Sequence, residues 1–168
     1  RLKSYISEDK IEVKQDNSAS SLIMSLRPNR SVEKKIDMAI VSEDEIADIA
    51  SPALGSIRRQ IRDLQGSIKD KLSSIIRSSK YQKYMQEAVV TMREDRYVVP
   101  VKQEHRAQVP GLVHDMSSSG STIFIEPMAV VEMNNKIKEL RVKEQNEIER
   151  ILIELSGEAA NILPDLEL

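Results

Sequence analysis

The sequence predicts a mainly α-helical fold with a small antiparallel β element, arranged as a long antiparallel helical hairpin, coiled-coil-like, with additional short core helices. Aromatic residues make up only 3% of the 168 residues, so burial must rest on Ile, Leu, Val and Met rather than on large rings. Charged residues make up 31%, which together with the aliphatic content is typical of long helices. Two long segments also repeat their apolar residues at steps of three and four, the spacing of a helical face.

The first 51 residues are predicted to form a helical core segment with a linker. Residues 1–7 resemble the end of a helix, and residues 8–17 are polar and predict a linker or a short exposed strand. One short helix is predicted from Ser18 to Leu26, and a second is predicted to begin at an N-cap at Ser31. Because the chain begins with Arg1 rather than Met, it is interpreted as an excised piece of a longer protein.

Two long helices are predicted at residues 52–83 and 128–168. The first begins at Ser51-Pro52, where serine suits an N-cap and proline the first helical position. We call the apolar line along each helix its seam. The first seam consists of Leu54, Ile57, Ile61, Leu64, Ile68, Leu72 and Ile75. The second consists of Val130, Met133, Ile137, Leu140, Glu144, Ile148, Ile151, Leu155, Ala159 and Ile162, and Glu144 is its one charged position. Narrow seams of this kind are expected to bury each other in an antiparallel rod.

Residues 84–127 are predicted to be rich in β structure. Two hairpins are expected, one pairing residues 89–92 with 97–101 and one pairing residues 111–114 with 122–125. The serine-rich residues 117–121 form the second turn. The small sheet is therefore expected to cap the helical hairpin, with Phe124 at the place where the sheet packs onto the helices.

Several classes of function are disfavoured by composition and motifs. The chain has no cysteine, which excludes disulfides, a thiol nucleophile and cysteine-bound zinc. It contains no P-loop and no dinucleotide-binding glycine pattern. A hydrolase site at the serine-rich loop is disfavoured because His114 and Asp115, as neighbours on a strand, are expected to point to opposite faces. No apolar run approaches the length of a membrane span, so a soluble, cytoplasmic protein is predicted.

The distribution of charge is uneven although the net charge is only −2. Residues 58–83 carry eight basic and two acidic residues, whereas residues 138–168 carry four basic and eight acidic ones. Either the basic helix forms ion pairs with the acidic one, or its bases contact a phosphate backbone. The candidate nucleic-acid-binding residues are Arg58, Arg59, Arg62, Lys69, Arg93, Arg96, Lys102 and Arg106. No aromatic residues are expected to interleave with the bases of residues 58–83, which disfavours base stacking.

The middle of the chain carries a dense sequence motif. Residues 96–102 read R-Y-V-V-P-V-K, and residues 109–127 read V-P-G-L-V-H-D-M-S-S-S-G-S-T-I-F-I-E-P. This pattern resembles the MutS-two family, the anti-recombination branch of the MutS-like ATPases. The resemblance is dense over about 30 residues and extends more loosely over the flanking helices.

The resemblance implies that this chain is the core-and-lever section of a longer protein, without the ATPase and nuclease domains. It implies no catalytic residues, cofactor or metal in the chain itself, and ATP and magnesium in a homodimeric, full-length parent that has an additional endonuclease domain. The implied role is to transmit the ATPase state to nucleic-acid-binding parts during suppression of homologous recombination. The implied partners are branched or duplex DNA and the ribosome. The alternative is a structural, dimerisation or ribosome-interacting coiled-coil module without direct DNA contact.

Overall fold

The computed structural model describes residues 29–162. Within this range the α-helices are α1 (Arg30–Ala39), α2 (Pro52–Arg77) and α3 (Val131–Ile162). The strands are β1 (Ile40–Ser42), β2 (Glu45–Ile46), β3 (Thr91–Arg93), β4 (Arg96–Lys102), β5 (Gly111–Met116) and β6 (Thr122–Pro127). Short 3-10 helices lie at Asp48–Ala50, Gln82–Tyr84, Gln103–Gln108 and Met128–Val130. The elements predicted within residues 1–28 lie outside the described residues.

The chain divides into two compact units. The sheet unit is Pro52–Glu147, and the terminal unit combines Arg1–Ser51 with Ile148–Leu168. In the terminal unit, the side chain of Asn29 accepts a hydrogen bond from the backbone N–H of Val32 at 3.3 Å. The predicted N-cap at Ser31 is therefore wrong by two residues, because the side chain of Asn29 satisfies one of the free N–H groups at the helix start instead.

Helix α1 contacts the second half of α3 through an ion pair within the terminal unit. Lys35 Nζ donates a hydrogen bond to Glu158 Oε1 at 2.6 Å. This hydrogen bond raises the pKa of Lys35 above its ordinary value, and the negative charge of Glu154 acts in the same direction. Val32 and Ala39 provide the buried apolar positions of α1.

The sheet unit contains a four-stranded antiparallel sheet in the order β3-β4-β6-β5. Both predicted hairpins form, and the pairing of β4 with β6 joins them into one sheet, with Val99 opposite Ile125. The β3–β4 turn places Glu94 and Asp95 at φ values of 49° and 60°. Positive φ at both central residues is the geometry of the two-residue hairpin turns that match strand twist.

One face of the sheet packs against the helices. Side chains alternate along a strand, so β4 and β6 direct every second residue toward α2 and the start of α3. The resulting core joins sheet residues Tyr97, Val99, Val101, Ile123 and Ile125 to helix residues Ile61, Ile68, Leu72, Ile76, Ile137 and Leu140. The buried residues of α2 follow the predicted seam at Leu54, Ile61, Ile68 and Leu72.

The predicted fold class is wrong: the sheet unit is an α/β domain rather than a mainly helical hairpin with a small β cap. An apolar sheet face must be covered by another layer, and the second half of the α2 seam covers it. The seam therefore packs on strands as well as on α3. Phe124 was expected between sheet and helices, but it alternates with the core residues Ile123 and Ile125 and carries Arg93 over its ring at 3.9 Å. None of the described helices is long and apolar enough to cross a membrane.

Candidate functional site

A buried carboxylate lies at the centre of the family-like motif. Glu126 on β6 is fully buried, and burial of an unpaired charge is strongly unfavourable. Its Oε1 accepts hydrogen bonds from Arg96 at 3.0 Å and from the side-chain amide of Asn134 at 2.7 Å. Its Oε2 lies 2.6 Å from Nε2 of His114. Both oxygens therefore have partners, and we call these four residues the Glu126 cluster.

Asn134 on α3 connects this cluster to the edge of the β4–β6 pairing. Its Oδ1 accepts from the backbone N–H of Tyr97, and its Nδ2 donates to the carbonyl of the same residue, both at 3.3 Å. In the β4–β6 register, Tyr97 would face Pro127, and proline has no N–H to offer. The asparagine amide takes the place of the missing strand partner, so it fixes α3 to the sheet.

His114 and Asp115 are placed by a β-bulge. The register of β5 against β6 shifts between Val113 and Asp115, which breaks the alternation that predicted opposite directions for these two side chains. That expectation is wrong here: His114 contacts Glu126, while Asp115 pairs at 3.0 Å with Arg93, which lies over Phe124. Residues 124 and 126 share one face of β6.

The serine-rich loop is a turn, as predicted. Ser117 Oγ accepts a hydrogen bond from the backbone N–H of Thr122 at 3.0 Å, and Gly120 donates its N–H to the carbonyl of Ser117 at 2.8 Å. Gly120 has a φ of 72°, which glycine adopts at little cost. Within the described part of the chain, no serine of this loop hydrogen-bonds to His114, and no group of three or more His, Asp or Glu could hold a metal ion.

Four of the eight predicted nucleic-acid-binding residues make hydrogen bonds or ion pairs within the fold that can be assigned to named partners. Arg58 pairs with Glu144 of α3 at 2.6 Å. Arg96 pairs with Glu126, and Arg93 pairs with Asp115. Lys102 Nζ donates to the backbone carbonyl of Lys83 at 3.4 Å. These contacts fix the orientation of the four side chains and limit how far each can extend toward a binding partner.

The other four are exposed. Arg59, Arg62 and Lys69 lie on α2, and Arg106 lies in the 3-10 helix after β4. Lys69 Nζ sits 5.8 Å from the ring centroid of Tyr97. The expectation that no aromatic residues accompany the bases is wrong, because Lys80 and Lys83 also lie over tyrosine rings.

Sequence reasoning missed two sets of residues. Asn134 carries no signal in the helical pattern, because its backbone partner, Tyr97, lies on a strand 37 residues away. Glu126 does carry one, since a carboxylate between Ile125 and Pro127 in an apolar strand must find a partner. Lys80 and Lys83 belong to the basic run of residues 58–83, but the charge pattern alone does not distinguish them as site residues.

Comparison with curated proteins identifies the class as MutS-like. No protein-family profile matches the chain. It is 66% identical over 166 residues to the endonuclease MutS2 of Ruminiclostridium cellulolyticum and 63% identical over 166 residues to that of Acetivibrio thermocellus. It is 53% identical over 171 aligned positions to the endonuclease MutS2 of Alkaliphilus oremlandii. Each alignment covers 99% of this chain but 21% of the relative.

The chain belongs to the MutS2 family. It spans about a fifth of the length of the curated relatives it matches. The Glu126 cluster includes the motif residues Arg96, His114 and Glu126, so the structure gives part of the family-like pattern a role in holding strands and helix together.

Proposed function

We propose that this chain is a non-catalytic section of a MutS-like protein and that its sheet unit contacts the backbone of duplex or branched DNA. The observation that carries the proposal is charge separation. The sheet unit holds 16 Lys and Arg against 12 Asp and Glu, a net charge of +4, while the rest of the sequence has a net charge of −6. A local excess of positive charge attracts phosphate even when the whole chain is slightly acidic.

The relatives are named endonucleases, which supports a nucleic acid as the partner of the parent protein. Homodimerisation, suppression of recombination and contact with the ribosome belong to the same proposal for the parent. ATP and magnesium belong to it too, but the residues of this chain do not fit them. The sequence has no P-loop, and the described part has no cluster of metal ligands.

Titration of the 168-residue chain with labelled duplex and four-way-junction DNA at two salt concentrations tests the contact. We expect binding that weakens by about tenfold or more between 50 and 200 mM salt, because phosphate contacts release counterions. Arg59→Gln with Lys69→Gln, in the sheet unit, should weaken binding. Arg30→Gln with Lys34→Gln, in the terminal unit, removes the same charge and should not. Absence of binding at low salt would contradict the proposal.

We propose as a second function that α3 transmits conformational change in the parent protein. The helix is continuous over Val131–Ile162 and supplies residues to both units. At 1.5 Å per residue, 32 residues extend about 48 Å. A continuous helix of this length is a stiff element through which two sites can be coupled.

Interrupting α3 in the full-length parent tests this second proposal. Asn146→Pro breaks the helix next to the division between the units, whereas Asn146→Ala preserves it. We expect the proline variant to bind DNA with an affinity that no longer depends on the bound nucleotide, while the alanine variant retains that dependence. Equal nucleotide dependence in both variants would refute the transmission role.

A further inference from the structure

Basic side chains gather where α2 ends beside the strand β4. Helix α2 ends at Arg77, and the following chain returns to β4 through the isolated bridge between Met85 and Val101. Lys102 Nζ donates to the carbonyl of Lys83 at 3.4 Å, and the rings of Tyr84 and His105 lie 5.0 Å apart. Two separate segments therefore form one surface, which we call the lysine–tyrosine patch. It consists of Arg77, Lys80, Tyr81, Lys83, Tyr84, Lys102, His105 and Arg106.

The five Lys and Arg side chains of the patch have no neutralising partner. Among the residues that the structure describes, none of the five has a carboxylate oxygen within 4.0 Å, unlike Arg58 and Arg96. Glu104 is the acidic neighbour, and it lies 3.4 Å from His105 rather than beside a lysine. Unpaired cations on one surface raise the local potential and favour a polyanionic ligand.

The tyrosine rings position the lysines. Lys80 Nζ lies 4.9 Å from the ring centroid of Tyr81, and Lys83 Nζ lies 5.0 Å from that of Tyr84. Both tyrosines are half-buried, so cation–π attraction orients each ammonium group on a fixed ring. Turn hydrogen bonds from Tyr81 and Gln82 to the carbonyl of Ser78 hold the same segment in shape.

The same contacts occupy the rings. Lysine covers one face of each ring, and His105 packs against Tyr84 at an interplanar angle of 49°. Single-stranded nucleic acid gains much of its affinity by stacking bases on exposed aromatic faces, and these rings are engaged already. The patch therefore offers cations for phosphates, and these contacts leave less aromatic surface for stacked bases.

We propose that the lysine–tyrosine patch binds the phosphate backbone of a double-stranded nucleic acid without base stacking. This inference rests on the proposed nucleic-acid contact and makes the patch, rather than the Arg59–Lys69 flank of α2, its main site. DNA and RNA duplexes share the backbone chemistry that the patch would recognise.

The test measures binding of the 168-residue chain to a 20-base-pair DNA duplex, a 20-base-pair RNA duplex and a 20-nucleotide single strand across a salt series. The variant Lys80→Gln/Lys83→Gln/Arg106→Gln removes three cations of the patch. The control Lys71→Gln/Lys138→Gln/Lys143→Gln removes three exposed cations of the sheet unit that do not belong to the patch. We expect the patch variant to reduce the slope of log K against log salt by about one for each phosphate that no longer meets a cation. The control should leave the slope unchanged.

The affinity of the wild type per phosphate should be at least as high for a duplex as for the single strand. Tyr81→Leu should not selectively weaken binding to the single strand. The duplex that binds with the higher affinity shows whether the patch prefers a DNA or an RNA backbone. Equal slopes for the patch variant and its control would overturn the inference, as would selective loss of single-strand binding in Tyr81→Leu or equal competition by polyglutamate. If instead Arg59→Gln with Lys69→Gln abolishes binding, the result supports the proposed nucleic-acid contact but refutes the patch as its main site. If the wild type binds no nucleic acid, both the proposed nucleic-acid contact and the inference about the patch are refuted.

Discussion

Replacing Glu126 by alanine is expected to lower the free energy of unfolding by about 3–5 kcal/mol, the usual cost of breaking a buried ion pair from one side. The substitution leaves the guanidinium of Arg96 without its carboxylate, and it removes the acceptor for His114 and Asn134. Urea denaturation followed by circular dichroism measures the destabilisation. Because the cluster joins β4, β5, β6 and α3, we expect the urea transition of the whole sheet unit to shift to lower urea concentration.

Glu139→Ala is the matched control for this prediction. Glu139 pairs with Lys136 on the exposed surface of α3, where its side chain is 62% exposed, and such pairs contribute little to stability. Glu126→Gln preserves the shape of the side chain, removes the charge and replaces one of the two acceptor oxygens by an NH2 donor. Because one acceptor oxygen remains, this variant should be destabilised less than the alanine variant, and it remains measurable if the latter does not fold. A destabilisation by Glu126→Ala no greater than that by Glu139→Ala would show that the cluster does not stabilise the fold.

The parts of the fold that could be predicted from the sequence are those encoded locally. The seam of α2 is visible because helical periodicity repeats within each turn, and the hairpins are visible because turn residues separate β-branched runs. The pairing of β4 with β6 joins Val99 to Ile125 across 26 positions, and no local pattern specifies it. This pairing creates the apolar face that turned an expected helical hairpin into an α/β domain.

The candidate site shows the same division. Basic residues on α2 were visible as a run of charge, but their partners were not. Arg58 faces Glu144, and Arg96 faces Glu126, so two expected ligand contacts are ion pairs within the fold. The bulge at His114 arises from the register of β5 against β6, which a single strand does not reveal. The sequence shows which charged side chains are present. Which of them lie close enough to pair is visible only in the folded structure.

Gly111→Ala is expected to destabilise the chain by about 3 kcal/mol, the upper part of the range for overpacking. A Cβ at this position would lie 2.2 Å from the backbone oxygen of Glu126 and 2.6 Å from Cγ2 of Ile125. Backbone atoms cannot move aside as a flexible side chain can, so β5 must shift away from β6. That shift would also lengthen the distance between His114 Nε2 and Glu126 Oε2, which is 2.6 Å.

Gly66→Ala provides a control with the same chemical change and the opposite expected sign. Gly66 lies within α2, and a Cβ there would have no neighbour within 4 Å. Alanine restricts the unfolded chain and favours the helix, so this variant should gain up to about 1 kcal/mol. Chemical denaturation of the two variants beside the wild type measures both effects. If Gly111→Ala were as stable as Gly66→Ala, the close approach of β5 to β6 would be wrong, and with it the geometry that brings His114 to the buried carboxylate.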